Sequence, residues 1–115
     1  MLTTPIPDDQ LDRVFHALSN RARRAMLARL AAGPAIVKEL AAPLDMSLPA
    51  VSKHLRVLEE AALIAREIDG RVHHCSLGVA ALQDVERWLD NYRSFWTGTL
   101  ESLARYVEEA DDERG

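Results

Sequence analysis

Residues 47–61 read SLPAVSKHLRVLEEA. Ser47 is a strong N-cap residue, and Pro49 falls in the first turn, where a missing N–H leaves no intrahelical bond unmade. Val51, Leu55 and Leu58 then recur at spacings of four and three, which places them within about 60° of one another on a helix. Lys53 and Arg56 fall on the opposite side, together with Glu60. The stretch therefore predicts one capped helix, running to about Ala62, with a face for a core and a basic face turned away from it. Ser52 and His54 flank Lys53.

The segment just upstream, AIVKELAAPLD, offers Ile36, Val37 and Leu40 to a core before Pro43 forbids a long continuation, so a third helix of about two turns is expected. A short helix, a turn of about four residues and a second capped helix make a helix-turn-helix over residues 36–62, whose second helix enters a major groove. Two helices precede it. DDQLDRVFHAL spaces Leu11, Val14, Phe15 and Leu18 by three and four and starts with acids, which favour a helix N-terminus. Asn20 caps RARRAMLARLAA, where Ala25, Leu27, Leu30 and Ala31 supply an apolar side before Gly33-Pro34 stops it.

Beyond the quoted helix, IAREID and RVHHCSL lie on either side of Gly70, strand-length runs joined through an Asp-Gly pair, which predicts a β hairpin over 64–77. From 79 to 109, Leu82, Val85, Leu89, Tyr92, Trp96, Leu100, Leu103 and Val107 keep to one face of a single helix of roughly 30 residues, about 45 Å long. The fold class expected is mostly α: four helices, a two-stranded wing and a long last helix, in one winged-helix domain over 1–115. ADDERG at the end reads as a frayed polar tail.

The chain has 115 residues, 48% apolar but only 5% aromatic, which suits one helical domain with a Leu/Ala/Val core and leaves no room for a separate catalytic domain. No nucleophile, base and oxyanion set can be assembled, so an enzyme is not expected. No run approaches the roughly 20 apolar residues of a membrane span, and the N-terminus lacks the pattern of a signal peptide; residence in the cytoplasm, with no membrane partner, is the expectation. The net charge of −4 conceals an asymmetry. Residues 10–77 hold ten Lys/Arg against seven Asp/Glu, and residues 78–115 hold four against nine. Because phosphate affinity follows the field of the docking face, an acidic total does not exclude DNA.

Double-stranded DNA is accordingly the expected partner. Ser47, Leu48 and Pro49 would lead the helix toward the bases, Ser52, Lys53, His54 and Arg56 would line its outer face, and Arg66 and Arg71 would bring the wing to backbone or minor groove. The rival from another class is a protein-interaction module that uses the long last helix and leaves the DNA face idle.

The sequence resembles the ArsR/SmtB family of bacterial winged-helix transcriptional repressors. The likeness lies in LSNRARRAMLARL (18–30), KEL (38–40), SLPAVSKHLRVLEEAALI (47–64) and DGRVHHCSL (69–77), and spans about residues 8–107. It implies a homodimer that represses by occupying a palindromic operator and is released by an inducer. It also implies a dimer interface made by the first and last helices, here Leu11, Phe15, Leu82, Leu89, Tyr92, Trp96, Leu100 and Leu103. Five of the six aromatic residues lie on the last helix, more than so small a core can bury, which also points to a second chain.

Metal sensing is where the chain departs from the family. Many members place a cysteine pair after Glu-Leu in the third helix, but Glu39-Leu40 is followed by Ala41, Ala42 and Pro43. Others bind zinc on the last helix, which here contains no His. No metal or other cofactor is therefore expected, and the effector is expected to be non-metal. His73, His74 and Cys75 are the one cluster of soft ligands. His73 and Cys75 share a strand face, but two ligands do not close a tetrahedral site, so ordinary packing is the expectation and a Cys75-based redox or metal switch the alternative.

Overall fold

The computed structural model describes residues 7–114, with side-chain surroundings up to Asp111. The first helix, α1 (Asp8–Leu18), carries Asp8 and Asp9 in its first turn and buries Val14 and Ala17. Asn20 then caps α2 (Arg21–Ala31), its side chain accepting the Arg23 N–H at 3.1 Å. The buried face of α2 consists of Arg23, Met26, Leu27 and Leu30, whereas Ala25 and Ala31 are exposed. Larger side chains occupy the core positions expected of the two alanines.

Ala35 and Ile36 form a two-residue strand, β1, ahead of α3 (Val37–Ala41). The expected two-turn third helix is thus a single five-residue turn, because its first residues are drawn into a sheet. The Glu39 carboxylate accepts the Ile36 N–H at 3.1 Å and so closes the start of α3. After Pro43 comes α4 (Leu48–Glu60), capped by Ser47, whose side chain accepts the Ala50 N–H at 3.3 Å.

β2 (Ile64–Asp69) and β3 (Val72–Leu77) form the wing, with Asp69 opposite Val72 across a Gly70-Arg71 turn. Gly70 at φ 62° takes the first central position of a two-residue hairpin, where a positive φ is required. β1 pairs with β3, Ala35 opposite Cys75, so the sheet is antiparallel in the order β1-β3-β2. The expected wing of two strands has a third along its other edge.

One core holds these pieces together: Val14 and Ala17 of α1, Met26, Leu27 and Leu30 of α2, Leu40 of α3, Val51, Leu55 and Leu58 of α4, and Leu63, Ile64, Cys75 and Ala81. All three apolar positions of the quoted stretch are fully buried. The exit of α4 is tight. Ala62 takes φ 58°, which lets the Leu63 N–H reach back to the Leu58 carbonyl at 2.9 Å, and the Gly78 N–H donates to the Leu63 carbonyl at 2.7 Å. Gly78 is pressed against the backbone there: a Cβ on it would lie 2.0 Å from the Ala62 carbonyl oxygen.

The last helix, α5, runs from Val79 to Arg114, five residues past its expected end, so ADDER is helical rather than a frayed tail. Two compact units are present, one ending at Val85 and one formed by the rest of α5 from Glu86. Within the second, Leu89, Tyr92, Trp96, Leu100, Leu103 and Val107 are all exposed and fall on one face. Gly98 lies on the opposite face, and a Cβ added to it would meet nothing within 4 Å. Gly98→Ala is therefore expected to strengthen α5 by about 1 kcal/mol, which thermal melting followed by circular dichroism will register as a higher midpoint.

Candidate nucleic-acid interface

The cap at Ser47 and the anchoring of Val51, Leu55 and Leu58 decide what α4 shows outward. Ser47, Leu48, Pro49, Ser52, Lys53 and Arg56 are all exposed. Leu48 stands out at 63% exposure in the first turn of the helix. The first-turn N–H groups, beyond the one that Ser47 takes, point out of the same end and favour an anion.

Between this end of α4, the start of α3 and the wing runs an open groove of about 500 Å³, lined by Ile36, Val37, Lys38, Leu48, Ser52, Arg66, Arg71, Val72 and His73. Its apolar floor is bordered by cations from three elements: Lys38 of α3, Arg66 of β2 and Arg71 at the wing turn. Lys38 is an addition to the expected contacts. Its signal is present in the sequence, since it is the one cation of the short helix that precedes the turn.

Two of the expected contacts are placed differently. His54 is half-buried, and its Nδ1 accepts from Arg23 Nη1 at 3.0 Å, so it faces the core side and not the outer face of α4. Position 54 lies about 60° from Val51 around the helix, on the edge of the buried stripe, so only its sequence neighbourhood with Lys53 suggested exposure. Burial, and then the positive charge of Arg23, hold the His54 imidazole below its usual pKa. Arg66, likewise, is turned back from the wing: it pairs with Glu59 of α4, and its Nη1 donates to His73 Nδ1 at 3.2 Å. Arg71, by contrast, is exposed at the wing tip.

Arg23 is buried at 7% exposure and makes three inward bonds. Besides His54, it donates through Nε to the Ala17 carbonyl at 2.7 Å and through Nη2 to the His16 carbonyl at 2.9 Å. Arg24 donates to the Leu18 carbonyl at 2.8 Å. Both arginines satisfy carbonyls at the C-terminal end of α1, where the helix dipole favours positive charge.

Cys75 is fully buried in the core, and burial pushes its thiol pKa up; Arg66 pulls it down and Glu59 pushes it further up. A thiol kept protonated is a poor nucleophile and metal ligand. Among the described residues no three His, Cys, Asp or Glu side chains are grouped to hold a metal ion. No helix of the described residues is long and apolar enough to cross a membrane.

The positions expected at a subunit interface divide by element. Leu11 and Leu82 are half-buried and Phe15 is partly exposed, whereas Leu89, Tyr92, Trp96, Leu100 and Leu103 are exposed along α5.

Residues 18–67, from the end of α1 into the wing, match a helix-turn-helix domain family. The chain is 41% identical over 106 residues to the HTH-type transcriptional regulator Rv2034 of Mycobacterium tuberculosis, covering 89% of this chain and 92% of that protein. It is 32% identical over 82 residues to the transcriptional repressor SdpR of Bacillus subtilis, covering 71% of this chain and 91% of that one. Among solved structures, an ArsR family transcriptional regulator superposes with a TM-score of 0.76 at 39% identity, over 82% of this chain and 97% of that one. A homodimeric winged helix-turn-helix DNA-binding domain from Mycobacterium bovis, described as a possible ArsR-family regulator, superposes with a TM-score of 0.58 at 29% identity, over 82% of this chain and 84% of that one. A capped, outward-facing basic helix behind a short α3 and beside a β wing, in a chain this close to such regulators, belongs to the ArsR family of winged helix-turn-helix transcriptional regulators, DNA-binding proteins and not enzymes.

Proposed function

We propose that the chain is a homodimeric repressor that lays the N-terminal half of α4 in the major groove and the wing tip along the neighbouring backbone or minor groove. The observation that supports this most is the outer face of α4, where Ser52, Lys53 and Arg56 are exposed while the opposite face is locked into the core. Lys53 and Arg56 meet phosphates or guanine edges, and Ser47 with the first-turn N–H groups meets a phosphate. Leu48, Pro49 and Ser52 approach base edges, while Lys38 and Arg71 supply positive charge from α3 and the wing. His54 and Arg66 serve the interface from behind, as props for α4 and for the wing.

Two copies joined through α5 would present two recognition helices to successive major grooves about 34 Å apart, which calls for a palindromic operator. Repression is the reading that the Bacillus relative's name favours. Release by a non-metal effector follows from Ala41, Ala42 and Pro43 standing after Glu39-Leu40, and from the absence of His in residues 78–115. The workplace of such a protein is the cytoplasm.

A mobility-shift assay with duplex DNA from upstream of the protein's own gene tests the reading. Lys53→Ala and Arg56→Ala are each expected to weaken binding about tenfold and to flatten the dependence of log affinity on log salt by about one unit per lost phosphate contact. Unchanged affinity and salt slope in both variants would reject this face.

A further inference from the structure

Arg23 and His54 meet where three helices converge, directly behind the basic face of α4. The guanidinium has no lone pair to offer, so the contact of 3.0 Å requires His54 Nδ1 to be the acceptor, with the ring proton on Nε2. The other two bonds of Arg23 go to the carbonyls of His16 and Ala17. One planar fork thus ties the end of α1 and the body of α2 to the residue next to Lys53.

We propose that Arg23 and His54 are a positioning pair that holds the DNA-reading helix in its docking pose only while the imidazole is neutral, so that acid weakens DNA binding through His54. The inference rests on the DNA reading above. Protonating Nδ1 replaces an acceptor by a donor and sets a second positive charge against Arg23. That guanidinium cannot withdraw easily, because α1 holds it by two carbonyls and it is itself buried. The imidazole is the side that must move, and it moves α4 with it.

Among the described residues, the recorded neighbours of His54 offer no counter-charge to an imidazolium. On α2 the group that faces His54 is Arg23, and α1 presents main-chain carbonyls already engaged by that arginine. On β2, Arg66 is committed to Glu59. On α4 itself, Lys53 and Arg56 are exposed cations, and Glu59 is held by Arg66. The lowered pKa of His54 agrees with this setting. Its sign is that of a group that folds as the neutral form: the folding benefit is complete above the ordinary imidazole pKa of about 6.5 and is lost as pH falls through that value toward the lowered one, and the docking penalty sets in below the lowered value.

The test is the affinity of the full chain for a fluorescent duplex from upstream of its own gene, measured from pH 8.0 to 5.0 for the wild type and His54→Asn. Asn keeps an acceptor for Arg23 and does not titrate. With each protein's affinity taken relative to its own value at pH 8.0, the wild type should lose up to about tenfold per pH unit below the free protein's His54 pKa beyond any loss shown by His54→Asn. The exposed His16 and His74 and the half-buried His73 are common to both proteins, so the comparison isolates His54. Equal pH slopes would overturn the pair's role and leave the DNA reading standing. Absence of binding by the wild type at pH 8.0 would remove both. Should His54→Asn fold poorly, the wild-type imidazole signals of His54 decide: DNA should lower its pKa, and an identical pKa with and without DNA refutes the proposal.

Discussion

Gly78→Ala is expected to lower the melting temperature by more than about 10 °C, whereas a Cβ at Gly98 meets nothing within 4 Å. Gly78 follows the last strand residue and precedes α5, and its N–H already donates to the Leu63 carbonyl at 2.7 Å. A Cβ there meets the Ala62 carbonyl oxygen at 2.0 Å, its carbon at 2.9 Å and the Leu63 carbon at 3.0 Å. All three are backbone atoms, so no side chain can swing aside. Relief requires moving the exit of α4, where Ala62 is held at φ 58° and Leu63 is hydrogen-bonded to Leu58. A cost of about 3 kcal/mol or more follows, comparable to other overpacked sites. Calorimetry measures it, and a midpoint within about 3 °C of the wild type would show that the junction is softer than its packing implies.

Trp96→Glu combined with Leu100→Glu is expected to leave the first unit folded, convert the proposed dimer to a monomer and weaken binding to the proposed operator by about 100-fold or more. Both residues are 63% exposed, on the stripe that Leu89, Tyr92, Leu103 and Val107 extend. Apolar surface of that extent on one helix face marks an interface. Two carboxylates placed in it would be desolvated without partners on association. A dimer that engages two half-sites gains from the high effective concentration of the second helix once the first is bound, and separate chains lose that gain. Sedimentation velocity reports the mass and the mobility shift reports the affinity. A double variant that sediments as a dimer would place the subunit contact elsewhere, and a wild type that sediments as a monomer would assign the stripe to a partner of another kind.

The parts of this fold that a sequence can announce are those with a local cause. Ser47 and Pro49 start α4, the 51-55-58 stripe orients it, and Gly70 turns the wing, because each acts within a few residues of itself. β1 has no such cause. Ala35 and Ile36 are a strand only because Cys75 and His74 stand opposite them, and a two-residue strand has no period to detect. The end of α5 departs from expectation for a related reason: after Val107 the apolar stripe stops, yet nothing in EEADDER breaks a helix, so it continues on propensity alone. At the interface, the exposed residues of α4 are legible as charges off a stripe. Arg23 is not, since a cation after an N-cap ordinarily reads as surface, and its burial depends on the carbonyls that α1 happens to bring within reach. Lys38 is legible as the one cation of the short helix before the turn, but the groove that it borders is not, because three elements distant in sequence make it.

The ion pair between Arg66 and Glu59 has a mechanical meaning for the proposed grip on DNA through α4 and the wing. It bolts the first wing strand to the last turns of α4, so the two proposed contacts would keep a preset gauge instead of finding their separation on arrival. A fork of fixed gauge loses little conformational freedom when it closes on its target. Under the proposed docking it would also measure: a duplex whose groove is too narrow or too wide for that gauge would be refused on shape, before any base is read.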